Sequence, residues 1–404
     1  MEVPDQVLAL AEGVRAAGGR LFVVGGAVRD HLLGHPAKDL DLEVHGLDPT
    51  TLAGLLSGHG TARRVGRSFP VFKLMVAGLG ELDVALPRGQ EPGLDMIAEA
   101  ARHRDLTVNA LLYDPLSGEL LDPWNGQADL RARRLRAVDP DTFGQDPLRA
   151  LRVAVLAARL QAEPDPQLAR ICAQQDLSAQ APERIGLELH KLWLRAPDPA
   201  PGLVWIRDLG LGPAVLPGVA LTSDRIDAMV RAAAQADLLE ESGPGPRAAL
   251  CWATLLLHHA DPEQVLDRAS VHSVRRWPVR DRVLALGPAP LRLPSDDRGL
   301  TALADNHRIW LALRRHAAWH PASPALTLLA RARDLGIATA PLPQLLQGRD
   351  LVALGVEPGP GLGRLLTALR AAQLAGAVGS VAQARSWVQA RIGCAPPDEH
   401  EPPP

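Results

Sequence analysis

Residues 21–44 decide how the chain is read. Leu21-Phe22-Val23-Val24 is a run of strand formers, and it enters Gly25-Gly26-Ala27-Val28-Arg29-Asp30. The apolar and basic residues from Ala27 to Leu33 predict a short helix, ended by Gly34 and Pro36. Asp39-Leu40-Asp41-Leu42-Glu43-Val44 then alternates acidic and apolar residues, the period of a strand. Such a strand puts Leu40, Leu42 and Val44 on one face and Asp39, Asp41 and Glu43 on the other.

Like charges on one face repel unless something cationic neutralises them. Carboxylate oxygens suit magnesium. A glycine turn opening a helix offers backbone N–H groups to an anion, and Arg29 adds a cation one turn in. A phosphate cradle beside a carboxylate metal site means phosphoryl or nucleotidyl chemistry. The plainer alternative is a tight turn followed by a solvated strand face.

The whole stretch resembles the signature of the class II tRNA nucleotidyltransferases, the CCA-adding enzymes and bacterial poly(A) polymerases. Their pattern is GG-x-VRD-x-LLG followed by D-x-D, and each of those residues is present between Gly25 and Asp41. Further matches follow along the chain. Arg102-His103-Arg104-Asp105-Leu106-Thr107-Val108-Asn109-Ala110 is similar to the family's RRD-F-T-I-N-A, with His103 and Leu106 as departures. The resemblance implies that Arg104 contacts phosphate or sugar, with Asp105 and Asn109 supporting the ribose or the site's hydrogen bonds. Asp105 also reads as a helix N-cap.

Gln145-Asp146-Pro147-Leu148-Arg149-Ala150-Leu151-Arg152 reads as a helix start, with Asp146, Arg149 and Arg152 at three-residue steps on one face. It resembles the family's ED-x-x-R-x-x-R motif, whose Asp and Arg read the incoming base. An Asp–Arg pair suits cytosine, because Arg donates to the carbonyl and ring nitrogen while Asp accepts from the exocyclic amine. Adenine offers an amine too, whereas uracil and guanine present a carbonyl there. Gln145 stands where the family has Glu, and Val155 and Leu156 stand where it has Arg and Phe. Pro182 to Leu192 resembles a further family helix, ER-x-x-x-E-L-x-K, read here as a stiffener built on ion pairs. The resemblance spans about residues 20 to 220.

Composition agrees with a helical remainder. Among 404 residues, 47% are apolar but only 3% aromatic, so Leu, Ala and Val must fill the core. Three irregularly spaced cysteines argue against a disulfide framework or a zinc site. A net charge of −3 requires any RNA partner to meet local basic patches rather than a global positive field. Candidates are Val274 to Arg282 and Arg331 to Arg333, which could hold the tRNA backbone, and Arg131 to Arg136, which could approach RNA or triphosphate; Arg63 to Arg67 reads as a basic turn that could face phosphate, and these last two stretches read equally as plain surface. No signal pattern or membrane-length apolar run is evident, so a soluble cytoplasmic protein is expected.

Val71–Val76 and Glu81–Leu86 predict a hairpin, with Asp83 either a third metal carboxylate or a charged edge residue. Pro and Gly clusters divide the sequence past residue 220 into helix pairs. His258, His259 and Asp261 resemble a metal-binding helix of some family members, yet the His-Asp adjacency is absent and packed histidines are the better reading. Residues 395–404 are expected to be disordered.

The expected architecture is an α+β nucleotidyltransferase head over 1–140 and a helical neck over 141–200. An all-α body and tail over 201–394 follow. By resemblance, Asp39 and Asp41 hold Mg2+. One ion activates the RNA 3′-hydroxyl and another steadies the leaving pyrophosphate. Gly25, Gly26 and Arg29 bind triphosphate, and Asp146 and Arg149, with Arg152 beside them, choose the base. The implied partners are the tRNA 3′ end and CTP, with ATP for a full CCA end; neither DNA nor membrane is expected. The short connection from Gly89 to Met96 favours addition of CC, because enzymes completing CCA carry a longer flexible segment. A poly(A) polymerase or A-adding enzyme, and a non-catalytic RNA-binding relic, are the alternatives.

Overall fold

The structure, a computed structural model, describes residues 1–36, 40–65, 71–87, 94–235, 238–306 and 308–392. Asp39, the connection at 88–93 and the C-terminal segment 393–404 therefore lie outside the described residues. The chain forms two compact units, one of residues 1–221 with 267–270, the other of 222–266 with 271–404. The expected head and neck lie together in the first.

The first unit begins with α1 (Asp5–Ala16) and β1 (Arg20–Val24), followed by α2 (Gly26–Leu32), β2 (Asp41–His45) and α3 (Pro49–Ser57). Asp48 caps α3, accepting hydrogen bonds from the Thr50 and Thr51 amides. Three strands succeed it: β3 (Thr61–Val65), β4 (Val71–Val76) and β5 (Gly80–Ala85). Arg63 and Arg64 thus lie in an edge strand rather than in the basic turn expected from the sequence. Pairing with β4 makes this segment a strand. The short strands β6 (Leu112–Tyr113) and β7 (Leu120–Leu121) complete a seven-stranded sheet of order β3-β4-β5-β2-β1-β6-β7. All neighbours are antiparallel except β2 and β5, which run parallel.

Period-two alternation gives this sheet two unlike faces. Leu21, Val23, Leu42, Val44, Phe72, Leu74, Leu82 and Val84 belong to one buried cluster with Val7, Leu10 and Val14 of α1 and Leu52 and Leu56 of α3. Burying each such side chain contributes about 1.5–3 kcal/mol. The opposite face carries Phe22 and Val24, which pack with Ile97 and Ala101 of α4 (Leu94–Arg102), and it also carries the charged residues described below.

Helices α5 (Gly126–Arg131), α6 (Pro140–Phe143), α7 (Leu148–Leu160), α8 (Pro166–Ala173) and α9 (Pro182–Arg195) continue the unit. α7 is buried along most of its length and packs on α9. Val155 and Leu156, the two departures from the family pattern, are 1% and 3% exposed and sit in that packing.

The second unit is helical, as composition requires. Trp252 and Trp310 are fully buried in helices Pro244–Leu255 and Ile309–Trp319. A separate apolar cluster joins Leu351, Leu369, Ala384 and Val388 from the last three helices. His258 and His259 fall in the turn after Leu255, not on a helix. His258 meets the Trp319 ring edge-on, and the Asp261 amide donates to Nδ1 of His259. Packing roles therefore account for both histidines.

Candidate active site

The glycine turn grows from the end of β1. Gly25 has φ +71°, a region that favours glycine, and its N–H donates to Leu111 O at 3.0 Å. A Cβ there would stand 3.2 Å from Arg104 Nη1. Gly25 is thus needed twice, for its conformation and for the close approach of Arg104. α2 begins at Gly26, so the turn leads straight into helix.

Val24 is the register partner of Asp41, which sets the first acidic residue of β2 beside the residue preceding the glycines. On the other side Asp41 is paired with Asp83 of β5, and Asp83 with Lys73 of β4. Register partners on adjacent strands share a face, so Asp41, Asp83 and Lys73 form one row across the sheet. Asp41 is exposed. Asp83 Oδ1 accepts from Lys73 Nζ at 2.7 Å, and Lys73 also pairs with Glu81 at 3.1 Å. Asp39, expected from the sequence to share that face, lies outside the described residues.

Glu43, expected beside Asp39 and Asp41 on a metal-neutralised face, is instead neutralised by protein. It is 6% exposed. Oε1 contacts His45 Nε2 at 2.8 Å and Oε2 contacts Arg104 Nη2 at 2.5 Å. Burial alone would raise its pKa; the His45 hydrogen bond and the Arg104 charge outweigh that and bring it down to about 2. Arg104 accordingly spends its charge on Glu43. Its Nη1 donates to Asn109 O at 3.5 Å, and among the described residues its Nε has no hydrogen-bond partner.

The other motif residues are joined in a continuous chain. Arg29, 3% exposed, donates to Asp30 through Nε at 2.8 Å and Nη2 at 2.6 Å, and through Nη1 to the Asn109 carboxamide oxygen. Asn109 Nδ2 donates to Asp105 Oδ1 at 3.0 Å. Asp105 Oδ2 accepts from Arg152 Nη1 at 2.8 Å, and Arg152 Nε lies 3.5 Å from Glu188 of α9. Lys191 closes the chain on Glu188 at 2.8 Å. Burial raises the Asp105 pKa, but Arg152 and the hydrogen bonds prevail and hold it below the usual carboxylate range. Burial would lower the Arg152 pKa, but Asp105 and Glu188 prevail and hold it above its ordinary value. Asp105 is not a helix N-cap: Thr107–Asn109 is a single 3-10 turn whose cap position is Leu106. Both oxygens of Asp105 are committed to its neighbours, so it supports the site's hydrogen bonds.

Asp146 and Arg149 stand at the start of α7. Asp146 Oδ1 accepts from the Leu148 amide at 3.2 Å and Oδ2 from Arg184 Nη2 of α9 at 2.7 Å. Arg149 donates to His103 O at 2.7 Å and to Thr142 O at 3.3 Å. Arg134 and Arg136, in the basic stretch read either as approaching RNA or triphosphate or as plain surface, are tied to the fully buried Asp129. Sequence reasoning missed Glu43–Arg104, Glu188–Arg152 and Arg184–Asp146, because each joins residues 36 to 61 positions apart.

Residues 21–136 match the poly A polymerase head domain family. An A-adding tRNA nucleotidyltransferase of Deinococcus radiodurans is 33% identical over 91% of this chain and 94% of its own length. The chain belongs to the class II tRNA nucleotidyltransferase family. A multifunctional CCA protein of Pseudomonas paraeruginosa is 36% identical over 50% of this chain and 51% of its own. The CCA-adding enzyme of Bacillus stearothermophilus, solved with CTP, shares the fold with a TM-score of 0.72 at 22% identity, covering 97% of this chain and 98% of that one. The Thermotoga maritima CCA-adding enzyme, solved with tRNA, gives 0.69 at 20% identity over 96% of each. The protein is thus a transferase acting in tRNA 3′ nucleotide addition, of a family that uses divalent metal ions. The donor set fits such an ion: exposed Asp41 beside Asp83 supplies hard carboxylate oxygens. Among the described residues no group of three or more His, Cys, Asp or Glu side chains gathers into a metal site, and Asp39 lies outside them.

Proposed function

We propose that this transferase extends the tRNA 3′ end with cytidylate or adenylate, whose bases present an exocyclic amine where uracil and guanine present a carbonyl. The row of Asp41 and Asp83 beside the Gly25 turn is the observation that carries the reading. Asp39 and Asp41 would hold magnesium, with Asp83 near enough in register to assist. The bound ion would favour ionisation of the attacking 3′-hydroxyl and offset charge on the departing pyrophosphate. The chain's own residues supply position. Gly25 and Gly26 present the turn to the triphosphate, and Arg104 stands against Gly25. Arg29, Asn109, Asp105 and Arg152 hold the turn to the base-reading helix. Asp146 and Arg149 read the base.

Two specificities are supported by different observations. The full-length likeness to an A-adding enzyme favours AMP addition. The short connection after residue 87 favours CC addition. We take AMP addition as the better supported, since the likeness includes the neck and the helical remainder. Purified protein, tRNA ending before the CCA, tRNA ending in CC, and CTP or ATP given singly decide between them. AMP joined only to the CC-ending tRNA supports the A reading; CMP joined twice to the shorter tRNA replaces it with the CC reading. A long adenylate tail would indicate a poly(A) polymerase, and no incorporation an RNA-binding relic.

A further inference from the structure

β4 and β5 carry a ladder of charge away from the Asp41 end of the row. Lys73 is the register partner of Asp83 on one side and of Arg63 on the other. Glu81 precedes Asp83 by two residues and so shares its face of β5. The Lys73 ammonium touches both acids at once: Nζ lies 2.7 Å from Asp83 Oδ1 and 3.1 Å from Glu81 Oε1. Glu81 Oε2 also lies 3.6 Å from Arg63 Nη2. Each of these side chains keeps contact with water, and Lys73 is the most covered, at 28% accessible. Pairs this open add little to stability. Their order along the row is informative. Asp41 and Asp83 are like charges on adjacent strands, which repel unless a cation offsets them, and Lys73 brings one from the protein itself. Lysine is suited to the task. Its ammonium is a compact charge with three donors on a flexible stem, so it turns from one carboxylate to another while the backbone stays in place.

We propose that Lys73 is a transferable counter-cation of the metal site, held by Asp83 while no divalent ion is bound and passed to Glu81 when one is. Both carboxylates already lie within hydrogen-bonding reach of Nζ, so the passage needs only a small turn of the lysine stem. Asp83 Oδ1 is thereby freed to join Asp41, its register partner on β2. A lysine kept on Asp83 would repel a divalent ion at close range. The same lysine on Glu81 stands farther off with its charge matched. Glu81 thus acts on metal affinity through Lys73, without touching the ion. This rests on the reading that Asp83 assists Asp39 and Asp41 in holding the ion, so the test includes Asp83.

The experiment titrates manganese into the full-length protein with a non-hydrolysable nucleotide and follows it by electron paramagnetic resonance. It compares the wild type with Lys73→Met, Glu81→Gln, the double variant carrying both, and Asp83→Asn, with melting temperature recorded for each. Lys73→Met is expected to tighten manganese binding about fivefold, because the competing charge is gone while the stem remains. Glu81→Gln is expected to weaken binding about threefold while Lys73 is present, and to change it by less than about 1.5-fold in the Lys73→Met background. That dependence separates the hand-over from simple loss of a nearby negative charge, which would weaken binding equally in both backgrounds. Binding no tighter in Lys73→Met, or an equal Glu81→Gln effect with and without Lys73, overturns the proposal. Asp83→Asn is expected to weaken binding. If it does not, Asp83 fails to reach the ion, and the proposal falls with the reading beneath it. If Asp83→Asn weakens binding and Lys73→Met does not tighten it, only the hand-over is wrong.

Discussion

The two faces of the seven-stranded sheet use the same strands for opposite ends. One face is Leu, Val and Phe sealed under α1 and α3. The other bears Asp41, Asp83, Lys73 and Glu43. On that second face a further division matters. Glu43 is buried and saturated by His45 and Arg104, whereas Asp41 stands exposed two residues earlier. The buried acid builds the scaffold, and the exposed acid is the one we propose as a metal ligand. Alternation sets both, and the neighbours that cover each residue decide which role it takes.

Substitutions on the two faces should therefore separate activity from stability. Asp41→Ala is expected to reduce nucleotide incorporation by about 1,000-fold or more, on the order of 4 kcal/mol in the barrier, with the melting curve nearly in place. Leu42→Ala, one residue on and 1% exposed, should do the reverse. It should lower unfolding free energy by about 2–5 kcal/mol in urea titration while the folded fraction keeps its turnover.

Glu43 sharpens the contrast through pH. Its pKa lies at about 2 in the folded protein against an ordinary 4.5. A depressed carboxylate stabilises fully above the higher value and loses that contribution as pH falls toward the lower. The contribution is on the order of 3 kcal/mol. Melting temperature followed from about pH 5 down to about 2 should fall, and Glu43→Gln should flatten that part of the fall. The smallest effect is expected at Asp83. Its pair with Lys73 is partly exposed, so Asp83→Asn should change stability by less than about 1 kcal/mol. The same variant should raise the concentration of divalent ion needed for half-maximal activity.

Local signals were sufficient for much of this. The Val23-Val24-Gly25-Gly26 run and the acidic alternation after it gave the first strand, the turn, α2 and β2, because strand period and glycine punctuation act over a few residues. The three-residue steps from Asp146 to Arg152 gave α7 and its charged face. Partnerships were not legible. Nothing near Arg104 announces that Glu43 will take its guanidinium, and nothing near Asp146 announces Arg184. Such pairs arise only when the sheet and helices have packed, so the sequence names the residues but not the partners that hold them. Arg29 is the clearest instance, a cation expected at the triphosphate whose side chain is buried on Asp30 and Asn109. The edge strand at Arg63–Val65 was hidden for the same reason, since pairing with β4 and not its own composition makes it a strand.

The central claim is that Asp41, together with Asp39, grips the divalent ion that serves transfer. Manganese titrated into the full-length protein in the presence of a non-hydrolysable nucleotide, followed by electron paramagnetic resonance, tests it directly. Wild-type protein should bind the ion saturably, and Asp41→Asn should weaken that binding at least about tenfold at an unchanged melting temperature. Equal manganese binding by the two proteins would contradict the account.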